Sequence, residues 1–463
     1  KMMPITELIG KKGKNQGNMR DLAPEEVVDY ACEDADITLQ LYHLLEPEIT
    51  DKHAKLFYDI EMPLVRVLAQ IERNGVSINR EALEKFSGEL LGELTELEES
   101  IYEHAEEKFN IQSPKQLGDI LFDKLKLDPK AKRTSKTKQY KTNEQVLERL
   151  TDKHPIVSDV LEYRQLQKLR STYVEALPKF INPKDQRIHT SYRQAVAATG
   201  RLSSDNPNLQ NIPIRTKRGR KIRQSFVPRN EDFVILAADY SQIELRIMAD
   251  FSGDEVMVDA FKNGRDIHRS TAAKLYQVDP EEVTADMRRQ AKTANFGIIY
   301  GVSAFGLAQQ TDLSRKEAGA LIRSYFEEFP SIKKYMDDII AQAREQEYVE
   351  TILGRRRYLR DINSRNATQR GYAERNAINA PIQGSAADII KVAMIQIQEW
   401  LEAEKLQSQM IMQVHDELVF EVHREELDLL QSSIPEKMKN ALQLKSVPLE
   451  VEAGAGQDWL EAH

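Results

Sequence analysis

At 463 residues, 41% of them hydrophobic, the chain is long enough to bury a large core and to divide into about three or four domains or subdomains. Its one cysteine, Cys32, excludes an internal disulfide and fits a reducing compartment, and no apolar run approaches the roughly 20 residues needed to span a bilayer. A formal net charge of −9 argues, as a sum, against a nucleic-acid partner, because neutralising phosphate requires local Lys and Arg.

In chain order, residues 1–50 read by themselves as an exposed acidic helical segment containing YACEDADITLQLY at 30–42. A start at Lys1, with no secretory leader, suggests a fragment of a longer protein. Residues 51–180 are expected to be largely helical. Leu83, Phe86, Leu90, Leu94, Leu97 and Ile101 recur at three- and four-residue steps, one apolar seam on a charged helix that needs a partner helix. Ser113 as N-cap, Pro114 at the first helical position and Gln116 as the far half of a capping box begin the next helix. A polar, Lys-rich tip follows at 130–141.

Near residue 181 the character changes to short extended pieces, HTSYRQAV and TGRLSS. These lead to the apolar run 233–238, which reads as a buried strand delivering Asp239 at its end. QIELRIMADFS, at 242–252, reads as a helix that carries Glu244, and 253–362 is again mostly helical. Within that region, MRRQAKTANFGIIYG at 287–301 places Arg288, Lys292, Phe296 and Tyr300 at i, i+4, i+8 and i+12 on one helix face. Arg288 to Phe296 is roughly 12 Å, about the reach of a nucleoside triphosphate from terminal phosphate to base. The same stripe also suits a buried helix whose aromatics are core and whose cations snorkel.

Further on, two apolar runs, 410–414 and 418–422, flank His415-Asp416-Glu417 and predict a β-hairpin with an acidic tip. His-Asp is an unfavoured turn pair, so backbone strain is expected at Asp416. Two carboxylates on neighbouring strand ends beside a phosphate-binding helix make a two-metal phosphoryl-transfer site. Three acid-free basic runs, 130–141, 215–223 and 354–360, favour contacts with a nucleic-acid backbone if they lie near that site. One cysteine and scattered histidines give no zinc spacing.

DYSQIELR from Asp239, RRQAKTANFGIIYG from Arg288 and VHDE from Val414 resemble the three polymerase motifs of the bacterial family A DNA polymerases. TGRLSSDNPNLQNIP from Thr199 and NAPIQGSAADIIK from Asn379 add two matching blocks, and the resemblance runs essentially the whole length, to Trp459 and His463. It implies a mixed α/β (α+β) right-hand polymerase with an antiparallel-sheet palm, mainly helical fingers and thumb, and a remnant of an exonuclease-like domain. The implied boundaries are 1–50 for the remnant, 51–180 for the thumb, 181–252 and 363–463 for the palm, and 253–362 for the fingers.

The resemblance also implies roles. Asp239, Asp416 and the backbone carbonyl of Tyr240 would hold two Mg²⁺ ions, with Mn²⁺ as a substitute, and Glu417 would be a supporting acid. Arg288, Lys292 and His268 would bind the triphosphate, with Lys292 also protonating the leaving pyrophosphate. Phe296, Tyr300, Gln242 and Glu244 would complete the dNTP site, Glu244 as the steric gate against a ribose hydroxyl and Phe296 disfavouring dideoxynucleotides. Arg201, Asn379, Gln383, His415 and Arg375 would contact primer-template DNA, where minor-groove acceptors common to every Watson–Crick pair allow a test of geometry without reading sequence.

The implied activity is template-directed addition of dNTPs to a primer 3′-hydroxyl in DNA replication and repair, by a monomer in the bacterial cytoplasm or nucleoid, with no membrane partner. Tyr30 and Asp34 match the last motif of the 3′→5′ exonuclease, whose other acidic motifs would lie upstream, so proofreading is not expected. A single-subunit RNA polymerase and a catalytically dead DNA-binding relative are the competing readings. Glu244 opposes the first and the retention of Asp239 and Asp416 the second. Arg360, in place of a proline common there, and Lys217-Arg218, in place of acids, depart from the family pattern and are expected to make the DNA side more basic.

Overall fold

The run of apolar residues before Asp239 forms the strand β1 (Phe233–Tyr240). With β2 (Gln409–Val414), β3 (Glu417–His423) and β4 (Val451–Gly456) it builds an antiparallel sheet in the order β4-β1-β3-β2. The computed structural model describes residues 2–214, 216–311 and 313–463, and the chain divides into two units, 1–63 and 64–463.

β1 is apolar without alternation because both of its faces are covered. Ile235 and Ala237 point into a large core that also holds Trp459 and Val419. On the opposite parity, the Tyr240 hydroxyl donates to the Met438 carbonyl at 2.7 Å, in the helix Leu427–Asn440. Asp239 therefore lies on the Trp459 side, opposite Glu417 on one neighbouring strand and Glu452 on the other.

The apolar seam at 83–101 is the buried face of α1 (Arg80–Ala105), which packs against α2 (Pro155–Leu169). Asn79 caps α1 by accepting from the Ala82 N–H at 3.0 Å. Ser113 caps the following helix, Pro114–Gly118, as expected, but the capping box does not close. The Gln116 side chain accepts instead from the Asn110 N–H at 2.6 Å, because the chain folds back before Ser113 and brings that donor nearer.

α3 (Ile243–Ser252) leaves β1 almost at once through Gln242, whose φ of +55° makes the sharp strand-to-helix turn. It is buried from Ile243 to Ala249. α4 (Ile267–Tyr276) and α5 (Ala285–Ile299) pack together, capped by Asp266 and Thr284. The 37-residue α6 (Ala367–Ala403) carries Pro381 inside it and is buried along much of its length.

Two of the basic runs are used internally. Arg215 lies outside the described residues, but 217–223 form the short helix Lys217–Arg223, which is tied to the acidic face of α1 and to α2. Arg218 pairs with Glu93 and, at 2.9 Å, with Glu162, while Lys221 reaches Glu89 at 2.6 Å. Thus Arg218 does not simply add positive charge to a DNA side. In the third run Arg355 pairs with the fully buried Asp388 at 2.8 Å, and Arg356 bonds Glu350 at 2.9 Å while stacking 4.4 Å over Tyr348. These four side chains meet acids of the fold, three of them from segments far off in the chain, whereas Lys217, Arg220 and Arg360 stay exposed.

In the first unit, Tyr30 and Asp34 sit one turn apart on the helix Pro24–Leu45, which carries no fully buried residue. The neighbouring Asp34 charge raises the Tyr30 pKa. No helix of the described residues is long and apolar enough to cross a membrane.

Leu90, wholly inaccessible in the α1 seam, gives a measure of that packing. Leu90→Ala is expected to cost about 2–5 kcal/mol, read as a lower urea midpoint. A loss below about 1 kcal/mol would mean that the seam collapses around the gap.

Candidate active site at the open end of the sheet

Asp239 and Asp416 are brought together by a main-chain hydrogen bond at the end of the sheet, from the residue after Asp239 to Asp416 itself. The Tyr240 N–H donates to the Asp416 carbonyl oxygen at 3.2 Å, while Asp239 pairs in register with Glu417. The hairpin between β2 and β3 closes in two residues, Val414 opposing Glu417. Its strain sits at His415, with φ of +56°, and not at Asp416 as the sequence suggested. A two-residue turn places its first residue in the left-handed region, and here that residue is His415. A polar scaffold holds the strained tip. The Gln413 amide donates to the His415 carbonyl at 2.5 Å and accepts from Gln210 at 2.9 Å, while the Tyr192 hydroxyl accepts from the Gln413 N–H at 2.9 Å.

Burial, and then the neighbouring carboxylates, push the Asp239 pKa up. Burial likewise raises that of Asp416, against Arg201 and His415. Asp239 Oδ1 is buried with no hydrogen-bond partner. Two crowded carboxylates, one with an orphaned oxygen, suit a hard divalent cation. Among the described residues no three His, Cys, Asp or Glu side chains converge on one point. Glu417, although opposite Asp239, is turned into the interior. It accepts from the Trp459 indole N–H at 2.7 Å, with Arg223 at 3.7 Å and His463 at 3.6 Å.

Glu244, at 7% exposure, accepts from both the Arg201 guanidinium and the Tyr300 hydroxyl. Burial raises its pKa and Arg201 opposes that rise. Gln242, at the turn into α3, has its side-chain oxygen buried and unpartnered.

The face of α5 carries the expected stripe. Arg288 is engaged by Asp266 at 2.6 Å, whereas Lys292 is exposed and, among the described residues, has no ion-pair partner. Phe296 lies 5.7 Å from the His268 ring. Tyr300 is the C-cap, followed by Gly301 at φ +67°, where an added Cβ would also lie 3.1 Å from Arg375 Cγ. Arg375, Asn379 and Gln383 follow at four-residue steps along one face of α6. The Asn379 amide reaches the Tyr300 carbonyl at 3.4 Å, and Gln383 is half-buried. Gly384 permits a close approach, since a Cβ there would lie 3.0 Å from the Thr199 carbonyl oxygen. Burial lowers the pKa of His415, with Arg201 acting in the same direction.

Three parts of this site were missed by sequence reasoning: the Gln210–Gln413–Tyr192 scaffold, Trp459 as the partner of Glu417, and Asn295. The last left a signal, a polar residue in the buried seam of Ala291, Ala294 and Ile298. The other two depend on pairings across more than 40 residues, which no local pattern carries.

A pair of half-buried carboxylates, with Glu244 between them and Tyr300 at the end of the cationic, ring-bearing helix, defines a class of site suited to handling phosphate groups with divalent cations. The chain belongs to DNA polymerase family A, whose profile matches residues 80–461. It is 48% identical over 453 residues to DNA polymerase I of Bacillus subtilis (strain 168), covering 98% of this chain and 51% of that protein. To DNA polymerase I of Pseudomonas aeruginosa it is 50% identical over 460 residues, 99% of this chain and 50% of the relative. The chain thus spans about half the length of these curated relatives. Its structure is similar, at a TM-score of 0.87 and 40% identity, to the POL domain of Pol1 from M. smegmatis in complex with DNA primer-template and dNTP, covering 99% of this chain and 78% of that one.

The Trp459–Glu417 bond can be tested separately from chemistry. Trp459→Phe keeps an aromatic ring near Phe226 but removes the N–H that satisfies a buried carboxylate. It is expected to cost about 1–3 kcal/mol in urea unfolding. An unchanged midpoint would show that the bond contributes nothing.

Proposed function

We propose that this chain is a template-directed DNA polymerase that adds dNTPs to a primer 3′-hydroxyl and releases pyrophosphate, in DNA replication and repair. The observation that carries the proposal is the half-buried Asp239–Asp416 pair at the end of the sheet. Family membership and the similarity to a relative in complex with primer-template and dNTP support it. In this reading 51–180 is the thumb, 181–252 and 363–463 the palm, 253–362 the fingers, and 1–50 carries the exonuclease-like motif residues Tyr30 and Asp34. The working form is a cytoplasmic monomer.

Two Mg²⁺ ions, or Mn²⁺ in their place, would be held by Asp239, Asp416 and the Tyr240 carbonyl, and when bound would acidify the primer hydroxyl and neutralise the triphosphate. Lys292 meets the phosphates with an unshared charge and supplies the proton that leaves with pyrophosphate. Arg288 exchanges Asp266 for a phosphate oxygen, and His268 adds a neutral donor. Phe296 and Tyr300 flank the base and sugar, so the stripe orients the nucleotide for in-line attack. Gln242 borders the same nucleotide. Glu417, held by Trp459, is a supporting acid beside Asp239 and not a ligand.

Arg201, Asn379, Gln383, His415 and Arg375 face the primer-template, with donors for acceptors that every correct pair presents. The thumb would grip the duplex through 130–141. There Lys141, Arg164 and Lys168 line a cleft of about 770 Å³ that has no carboxylate in its wall. Deoxyribose is preferred over ribose because Glu244 is already clamped by Arg201 and Tyr300. A 2′-hydroxyl would have to displace a satisfied, buried carboxylate, and this favours a DNA over an RNA polymerase.

Primer extension with dNTPs or rNTPs, with and without Mg²⁺, tests this reading. Asp239→Ala and Asp416→Ala are each expected to slow extension by roughly 10³-fold, about 4 kcal/mol of barrier. Near-normal extension by either variant would overturn the site. Glu244→Ala should raise rNTP relative to dNTP incorporation by roughly tenfold or more, measured as the ratio of kcat/KM. An unaltered ratio would remove the gate.

A further inference from the structure

We infer that Asn295 is a positioning residue that fixes the tautomer of His268, holding a neutral imidazole with its proton on Nε2 as a donor for the triphosphate. The inference rests on the proposed nucleotide site but concerns a residue outside its contact surface. Asn295 is 0% exposed and sits on the buried side of α5, next to the stripe. Its amide nitrogen lies 3.0 Å from His268 Nδ1 and 3.1 Å from the Thr271 hydroxyl, and its oxygen lies 3.2 Å from the same hydroxyl. Both polar atoms of a fully buried side chain are therefore committed to α4, and one of them to a single ring nitrogen. A buried amide is costly unless satisfied, so the arrangement is held stiffly.

A ring nitrogen that accepts cannot carry the proton. Donation from Asn295 to Nδ1 leaves the N–H of the neutral ring on Nε2. Several groups could compete for the ring's charge state. Asp266 faces it from its own element, and Arg288 and Lys292 from α5, where they oppose protonation. Burial is the larger influence and holds the His268 pKa down to about 4, so the ring enters the phosphate cradle uncharged. The Phe296 ring, 5.7 Å away, restricts its tilt. The cradle then has a division of labour: Lys292 and Arg288 bring charge, and His268 brings a directed N–H whose orientation is set from behind by Asn295 and Thr271.

The direct test is ¹⁵N NMR of ring-labelled histidine in the nucleotide-free protein at neutral pH. The expected His268 signature is the Nε2–H tautomer; an Nδ1–H tautomer or an imidazolium would overturn the inference. This readout needs no catalysis, so it stands apart from the proposed polymerase activity, which fails or succeeds in primer extension by the unaltered chain. A kinetic cycle adds a second measurement. Asn295→Leu should raise the KM for dNTP by roughly tenfold, the loss of one oriented hydrogen bond to a charged group, with kcat changed far less. His268→Ala should do the same, and the double variant should be no worse than either. Additive effects would show that Asn295 acts on packing and not through His268. Should Asn295→Leu not fold, Thr271→Val, which removes the hydroxyl that orients the amide, takes its place in the same cycle and is judged by the same rule.

Discussion

The main-chain hydrogen bond from Tyr240 to Asp416 is the constraint on which the rest depends. It closes the sheet at the point where two acidic residues arrive from segments far apart in the chain. Like charges brought together there repel, and the Asp416 carboxylate accordingly adds to the rise in the Asp239 pKa that burial begins. The sheet register does not relieve this repulsion; it imposes it. Backbone pairing over seven residues between β1 and β3 supplies the cooperativity needed to keep such a pair together.

Around that pair two of the neighbouring carboxylates are already engaged by other side chains. Glu417 is withdrawn by Trp459, Arg223 and His463, and Glu244 by Arg201 and Tyr300. The positive side shows the same economy. Arg288 is balanced by Asp266, while Lys292 on the same face has no counter-ion among the described residues. The consequence is uneven charge: uncompensated carboxylates at the end of the sheet, and an uncompensated Lys292 on α5.

The distribution of basic residues shows what a local reading of charge leaves out, namely the partners that the fold supplies. Arg218, Lys221, Arg355 and Arg356 were legible as a positive surface, and in the fold each meets an acid. For the acid-rich α1 the pairing even explains how so charged a helix can lie against its neighbours. In the first run Arg133 lies 3.9 Å from Asp123, while the cleft beside it, lined by Lys141, Arg164 and Lys168, has no carboxylate among its lining residues.

By itself, the sequence determined the elements and the chemistry: the apolar run that must be buried, the seam of α1, the stripe on α5, the acidic hairpin tip, and five blocks that mark a polymerase family. These are short-range properties, written at spacings of two to twelve residues. Only the tertiary structure decided which acids face one another, that the strain of the tip falls on His415, that Gln116 caps Asn110, and that Asn295 reaches across to His268. The facing acids and the Asn295–His268 contact depend on the approach of segments tens to hundreds of residues apart, and the other two on how the chain folds back on itself locally. Side-chain identity says what a group can do; the packing of distant segments says which partner it has.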